Sequence, residues 1–470
     1  MNLPIFTDEA IYVRWSQIAR QDASWRFISL TDGKQPMFVW VTLSLMHIIK
    51  DPLFAGRLTS VLSGVVSMVG LFFLGRELFK NTWVGFLSSF LYLISPFALV
   101  YDRMALYDSM VGAFMVWSLY IEVLLVRKVR SDIAFILGLV AGGGLLTKSN
   151  AFFSLYLLPT TLLLFDFKKH KRVNRLIKWV LFALLSAVLA YLYYSILRLS
   201  PFYNIIGDKN QTFVYSFKEW LEHPLRFFIG NFHGLFHWFI TYVGWPLFFL
   251  MIASFAIKKE FTKEKLLLVI WFIAPLLALA MFGKVLYPRF ILFMVLYLFP
   301  LAALSILQIF HIFKNNALRV VLVLAFIAFS IRSDYYILND FAHAPVADSD
   351  LSQYSNDWPA GGGIKEMVSF LAKESEKGKL YVATEGTFGS NPTIAVEIYL
   401  GSNKNIEKRG IWPLPKDIPP DLVKKAKTMP VYFVFAQTQV PSSSWPLKFI
   451  NRYQKGIGNS YLHIYQVIGK

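Results

Sequence analysis

The 470-residue sequence contains no cysteine, which excludes disulfide scaffolds, thiolate zinc sites and cysteine nucleophiles. Charge is also scarce: 16% of the residues are Asp, Glu, Lys or Arg, against ~25% in a typical soluble domain. Acidic residues are the scarcer sign, 29 against 47 basic, and no internal repeat or low-complexity tract is visible. In their place stand 56% hydrophobic residues, including 44 Phe, 23 Tyr and 13 Trp. Apolar runs of about 18 residues or more recur between residues 57 and 333, long enough to cross a hydrocarbon core of ~30 Å. The chain reads as a multi-pass membrane protein. Its net charge of +18 comes from Lys and Arg clustered between apolar runs, a pattern that sets orientation in a bilayer and does not call for nucleic acid.

Ten spans are predicted, at 57–75, 83–101, 104–126, 133–147, 151–165, 179–198, 235–257, 266–283, 289–308 and 318–333. Alternate loops hold seventeen Lys and Arg, among them Arg127, Lys168, Arg172, Lys258, Lys259 and Lys314, against seven in the intervening connections. The richer set faces the cytoplasm, which puts both chain ends outside. Met37–Ile49 is apolar but too short to cross, so residues 1–56 read as an outer-face loop with interfacial helices. Phe213–Phe228 reads as another surface helix. Residues 57–333 form the transmembrane bundle, and 345–470 a small extracytoplasmic α/β domain. That domain has a helix near 363–377 and strands at Leu380–Thr384, Val431–Phe435 and Tyr461–Val467. The fold class is an all-α polytopic bundle with this α/β appendage.

Four polar features fall on the outer side: Asp8-Glu9, Asp32-Gly33-Lys34-Gln35-Pro36, Asp102-Arg103 with Asp108 after it, and Lys284 with Pro288-Arg289-Phe290. Lys148 sits at the same level. Any one of them alone is an ordinary loop charge or a snorkelling cation. Together they place carboxylates beside several cations at a membrane surface. Cations hold a lipid phosphate there, and a carboxylate takes the proton of an acceptor hydroxyl.

The order Asp-Glu, Lys-x-Pro before an apolar segment, Arg-x-x-x-x-Asp after two spans, and Pro-Arg-Phe entering a late span resembles GT-C membrane glycosyltransferases. The branch it is most similar to is the protein O-mannosyltransferase and aminoarabinose-transferase type, over roughly residues 5–310. Lys34-Gln35-Pro36 departs from that branch's usual Lys-Pro-Pro. The resemblance also implies an apolar helix encoded ahead of Met1. It implies a donor sugar on a polyprenyl phosphate, an acceptor hydroxyl on a protein, lipid or glycan, and inverting transfer. Asp8 stands at the essential acid, with Glu9 and Asp108 as further catalytic candidates; Asp108 positions Arg103 or the acceptor. Lys34, Arg103, Lys148 and Arg289 are the donor-phosphate candidates. The cofactor is undefined, and nothing in the sequence supports a divalent metal.

Other signals carry less. Gly142-Gly143-Gly144 lies inside a span with no strand before it and reads as helix packing. His233 and His237 have the i, i+4 spacing of two metal ligands but no acidic partner in sequence, so they read as interfacial. Trp238, Tyr242 and Trp245 are candidates for a sugar-lining surface. The alternative function is a transporter or flippase of lipid-linked sugars. Such proteins place ionisable groups at mid-bilayer in repeated halves, whereas here they gather at span ends.

Overall fold

The computed structural model describes residues 3–257, 260–387, 389–436, 439 and 441–469. Met1, and Lys258 and Lys259 of the fourth basic loop, lie outside the described residues. The chain opens with α1 (Thr7–Gln21) and the short α2 (Met37–Leu45), then enters the long α3 (Pro52–Phe79). Helix α3 starts where it does because the Asp51 carboxylate accepts from Phe54 N–H and Pro52 occupies its first turn. Its buried face is built from Gly56, Ser60, Ser63, Gly64, Ser67 and Gly70, while Val61, Leu62, Val65, Val66 and Val69 are exposed. Small residues inward and branched apolar ones outward is the pattern of a helix packed in lipid.

After α3 come α4 (Thr82–Leu93), α5 (Pro96–Tyr101), α6 (Tyr107–Lys128), α7 (Ser131–Leu145), α8 (Phe152–Leu157) and α9 (Arg172–Ser195). The expected span 83–101 is interrupted at Ser95, because Pro96 disfavours helical backbone in the residue before it. Gly138 and Gly142 of α7 abut Leu189 and Tyr193 of α9, so the glycine run packs helices. Two short helices follow, α10 (Ile205–Phe213) and α11 (Phe217–Glu222); of the helix predicted over 213–228, α11 alone lies within the range. The apolar and charged positions there alternate, but the Ser216 side chain accepts from Glu219 N–H and starts a new helix.

Next are α12 (Phe228–Val243), α13 (Trp245–Ile257), α14 (Thr262–Phe282), α15 (Leu292–Val295), α16 (Phe299–Ile312) and α17 (Asn316–Asn339). The expected single span 235–257 is α12 and α13 bent by 99° at Gly244. Gly244 has φ +75°, and a Cβ there would lie 2.5 Å from the Phe329 ring, so only glycine permits the corner. Among the described residues six helices are long and apolar enough to cross a membrane, including the 3-10/α segment Pro288–Ile312. With the bent pair and three shorter apolar helices they occupy the ten regions read from hydropathy.

The remainder is α18 (Asp348–Leu351), α19 (Ile364–Glu376), β1 (Leu380–Glu385), α20 (Thr393–Leu400), β2 (Ile406–Ile411), α21 (Pro420–Lys425), β3 (Val431–Phe435), β4 (Leu447–Gln454) and β5 (Tyr461–Val467). The sheet order is β2-β1-β3-β5-β4, with β2, β1 and β3 parallel and the other pairs antiparallel. The core strands β1 and β3 are buried on both faces, which makes them continuous apolar runs. Strands β2 and β4 lie at the sheet edges with charged exposed faces, and so carry no such run.

Helix α1 is shared by the bundle and the α/β domain. It packs on α2 and α3, while Arg14 Nε meets Glu397 at 3.0 Å and Gln17 donates to Ile398 O at 3.2 Å. Thr7 donates from both its N–H and its hydroxyl to Pro359 O, each at 3.1 Å.

Candidate active site

Successive residues of a helix point about 100° apart, so adjacent carboxylates at the start of α1 part company. Asp8 turns toward Arg289, whose Nη2 lies 2.9 Å from its Oδ2. Glu9 turns into the bundle and is fully buried. There it takes a two-pronged contact from Arg57 of α3, at 2.9 and 2.8 Å, and accepts from Ala105 N–H at 2.8 Å. With these partners Glu9 fixes α1 to α3; it does not face the space beside Asp8.

That space is a cavity of about 580 Å³ at one end of the bundle. One wall is the loop before α2. Lys34 Nζ lies 2.7 Å from the Tyr12 hydroxyl of α1 and 3.7 Å from Asp32. Lys209 of α10 reaches Asp32 at 2.5 Å. Gly33 lies between them with φ +66°, and a Cβ would come within 2.6 Å of Ile205 O, so glycine allows α10 to close on this loop. The adjoining Gln35 donates to the Ser149 hydroxyl at 2.9 Å, and Asn150 and Asn210 stand beside them in the lining.

A second wall comes from the ends of α6 and α7. Asp108, in the first turn of α6, holds Lys148 Nζ at 2.6 Å. Sequence spacing pairs Asp108 with Arg103; the fold pairs it with Lys148, because residues 101–106 turn before α6 begins. Arg103 sits in that turn and does not line the cavity. Burial lowers the Lys148 ammonium pKa, and Asp108 offsets part of the shift. Arg289 forms the third wall, held by Gln353 at 3.2 Å and the Tyr354 hydroxyl at 3.1 Å as well as by Asp8. The opposite side is apolar, with Phe152, Phe153, Tyr156, Leu279, Phe282 and Leu286. Tyr156 is 68% exposed, so this side opens at the bundle's flank.

Burial pushes the Asp8 carboxyl pKa up, but Arg289, Lys34, Lys148 and Lys209 together outweigh burial and hold it below the usual carboxylate value. The Tyr12 phenol is driven the other way, by burial and by the Asp8 charge, so it stays neutral, and its oxygen accepts from Lys34. A carboxylate favoured in its charged form thus lies among four cations, and these cations line a cavity with an apolar side. Such a site can accept a proton and hold a phosphate whose other end is hydrocarbon.

Lys34, Asp108, Lys148 and Arg289 line the cavity, and Asp8 adjoins it through Arg289; Glu9 and Arg103 do neither. Trp238, Tyr242 and Trp245 are elsewhere: Tyr242 binds Asp350, and Trp245 joins His233 and His237 in a separate cavity of about 720 Å³. Lys209, Gln353 and Tyr354 are site residues that sequence reasoning missed. Lys209 appears in the sequence only as one more loop charge, and the 353–354 pair lies in a polar stretch after the last span. Among the described residues no three His, Asp or Glu side chains converge as metal ligands, and Asp8 and Asp108 are each paired with a cation.

Residues 33–194 match the model of the dolichyl-phosphate-mannose-protein mannosyltransferase family. No curated protein sequence matches the chain. Among solved structures, ArnT from Cupriavidus metallidurans bound to undecaprenyl phosphate aligns with 99% of this chain and 94% of its own, at 13% identity and a TM-score of 0.59. The apo state of the same protein aligns over 100% and 95%, at 14% identity and a TM-score of 0.56. The Archaeoglobus fulgidus oligosaccharyltransferase in complex with Zn and sulfate aligns over 92% of this chain and 64% of its own, at 13% identity and a TM-score of 0.52.

Proposed function

We propose that this GT-C type membrane glycosyltransferase moves a sugar from a polyprenyl-phosphate donor to an acceptor hydroxyl on the outer face of the membrane. The observation that carries the reading is the Asp8–Arg289 pair at the edge of a cavity with three lysines on its polar walls and an apolar flank. The undecaprenyl phosphate bound to ArnT is a ligand of the shape such a cavity suits. The prenyl chain enters along Phe152, Phe153, Tyr156 and Leu279, and its phosphate stops at the cations. Neutral amide and hydroxyl groups of Gln35, Ser149 and Asn210 then face the sugar.

In the reaction the acceptor oxygen attacks the anomeric carbon from the side opposite the phosphate. A new carbon–oxygen bond forms, the bond to the phosphate oxygen breaks, and the configuration inverts. Asp8 takes the hydroxyl proton as general base. The lipid phosphate leaves with the bonding pair, and Arg289, Lys34 and Lys148 stabilise the charge that grows on it. Arg289 suits this task because its planar fork offers two parallel donors and never loses its charge. Lys148, released in part from Asp108 as the phosphate arrives, adds a compact second charge. Asp108 keeps Lys148 in place between turnovers and is the third carboxylate of the site.

The test is incubation of the purified full chain with a panel of polyprenyl-phosphate sugars and hydroxyl acceptors, following both transfer and release of polyprenyl phosphate. Transfer from at least one donor, abolished by Asp8→Asn, is the expected result. Movement of the lipid-linked sugar across a vesicle with no bond cleaved would overturn the reading in favour of a flippase.

A further inference from the structure

Gln35 stands between Lys34 and Pro36, where the branch this sequence resembles carries a second proline. Proline has no polar side chain, whereas glutamine brings both a donor and an acceptor. The residue is only 3% exposed and lines the donor cavity. Two backbone links hold its loop: Lys34 N–H donates to Ser29 O and Met37 N–H to Leu146 O, each at 3.0 Å. The second of these presses the start of α2 against the end of α7. There the Gln35 amide donates to the Ser149 hydroxyl at 2.9 Å, and that hydroxyl turns to Asn210 Oδ1 of α10 at 3.4 Å. The chain of contacts uses the donor of Gln35 and the acceptor of Asn210. It leaves Gln35 Oε1 and the Asn210 amide N–H groups without a protein partner among the described residues. A sugar hydroxyl, which donates and accepts at once, complements that pair.

The charges around the cavity narrow the class of sugar. Its four cations, Lys34, Lys148, Lys209 and Arg289, are met by three carboxylates. Asp8, Asp32 and Asp108 each lie within 2.9 Å of one of those cations. Asp108 alone among Asp and Glu is part of the lining. An ammonium group on the sugar would therefore find every nearby carboxylate already paired, and lysines close by. A charge placed there without a counter-ion is strongly disfavoured.

We infer that Gln35 is a specificity-determining residue which, with Asn210, binds a hydroxyl of an uncharged donor sugar and so selects against amino sugars. The inference rests on the reading of the cavity as a donor-phosphate site. A purely structural tie between the start of α2 and the end of α7 explains the Gln35–Ser149 contact. It leaves the Gln35 carbonyl oxygen unpaired in the cavity wall, and an unmet polar group in a buried side chain costs stability. A site built to hydrogen-bond a hydroxyl also discriminates sharply against a ligand that cannot complete the pair.

The experiment measures the affinity of the full-length chain for three lipids: polyprenyl phosphate, polyprenyl-phosphate mannose, and the 2-amino-2-deoxy analogue of the latter. The pH is held at about 6.5, below the ~8 at which an ordinary amino group loses its proton. Wild type should bind the mannose lipid at least about tenfold more tightly than the amino analogue. Gln35→Ala and Asn210→Ala should each weaken the mannose lipid about tenfold, yet leave polyprenyl phosphate, which has no sugar, within about twofold of wild type. Retained binding of polyprenyl phosphate also shows that the variants fold. Gln35→Glu puts a carboxylate in the wall and should shift the preference about tenfold toward the amino analogue. Equal losses for polyprenyl phosphate and the mannose lipid, equal binding of the two sugar lipids by wild type, or a preference that Gln35→Glu does not move would each overturn the inference. So would a wild type that binds polyprenyl phosphate and neither sugar lipid. A wild type that binds none of the three would instead overturn the reading of the cavity, and the inference with it.

Discussion

Replacing Asp8 by Asn tests the mechanism most directly, because the structure sets two effects of opposite sign. Asparagine keeps the shape of the side chain but cannot take the acceptor proton. Positioned general bases contribute about 10²- to 10⁴-fold, so turnover should decline by at least two orders of magnitude. Donor binding should move the other way. The Asp8 carboxylate occupies one arm of Arg289 at 2.9 Å and would also sit near the incoming phosphate. Loss of its charge frees that arm and removes a like-charge repulsion. Hydrogen bonds to charged groups are worth about 1.5 to 3 kcal/mol, so a gain near the lower end is roughly tenfold tighter binding. The assay is parallel measurement of sugar transfer and of lipid-donor affinity on detergent-solubilised protein. Transfer close to wild type would show that Asp8 is not the base. Weaker donor binding would show that the Asp8–Arg289 pair holds Arg289 in place and does not compete with the phosphate.

Lys148→Met should weaken donor binding by about tenfold, since it removes a charged contact and leaves Asp108 uncompensated in the cavity, and Lys148→Arg should restore part of the loss. Glu9→Gln should lower the thermal midpoint while donor affinity per folded molecule stays near wild type. Breaking a buried ion pair costs about 3 to 5 kcal/mol, and the partner here is Arg57. A pH profile of transfer should show no acidic limb from Asp8 above pH 4, because the surrounding cations depress its carboxyl; a limb near pH 6 that vanishes in Asp8→Glu would contradict this. Because the chain has no cysteine, single cysteines at residues 172 and 400 can be labelled from either side of the membrane; they should prove to be on opposite faces, and labelling from the same face would overturn the proposed orientation.

Hydropathy made the spans legible because each is a run of apolar residues that lipid selects locally, whatever the neighbouring helices do. The breaks were less legible. Gly244 is one residue in a long apolar stretch, and its role emerges only when Phe329 packs against it. The site divides along similar lines. Asp8, Lys34, Asp108, Lys148 and Arg289 share an end of the bundle because span ends bring them there, so topology alone collects them. Glu9 and Asp8 look equivalent in sequence, yet helix geometry gives Asp8 to Arg289 and Glu9 to Arg57. Lys209, Gln353 and Tyr354 arrive from segments with no periodic signal, joined to the site by contacts 177, 64 and 65 residues apart in the chain.

The double hold on α1 bears on how proteins of this architecture can be recombined. The helix that presents Asp8 rests its side on α2 and α3, but its first residues hang from Pro359 and its outer flank is tied to Glu397 and Ile398. A chimera that exchanges residues 345–470 for the matching part of a relative would put foreign partners against Thr7, Arg14 and Gln17. The graft would misplace Asp8 even where Gln353 and Tyr354, the two site residues that it carries, are kept identical. Exchanging the first 21 residues together with the C-terminal part keeps that seam intact and moves the mismatch to the α1–α3 contact, where Glu9 and Arg57 are a single pair that can be matched by design. Swaps of the second kind should retain transfer where swaps of the first kind lose it.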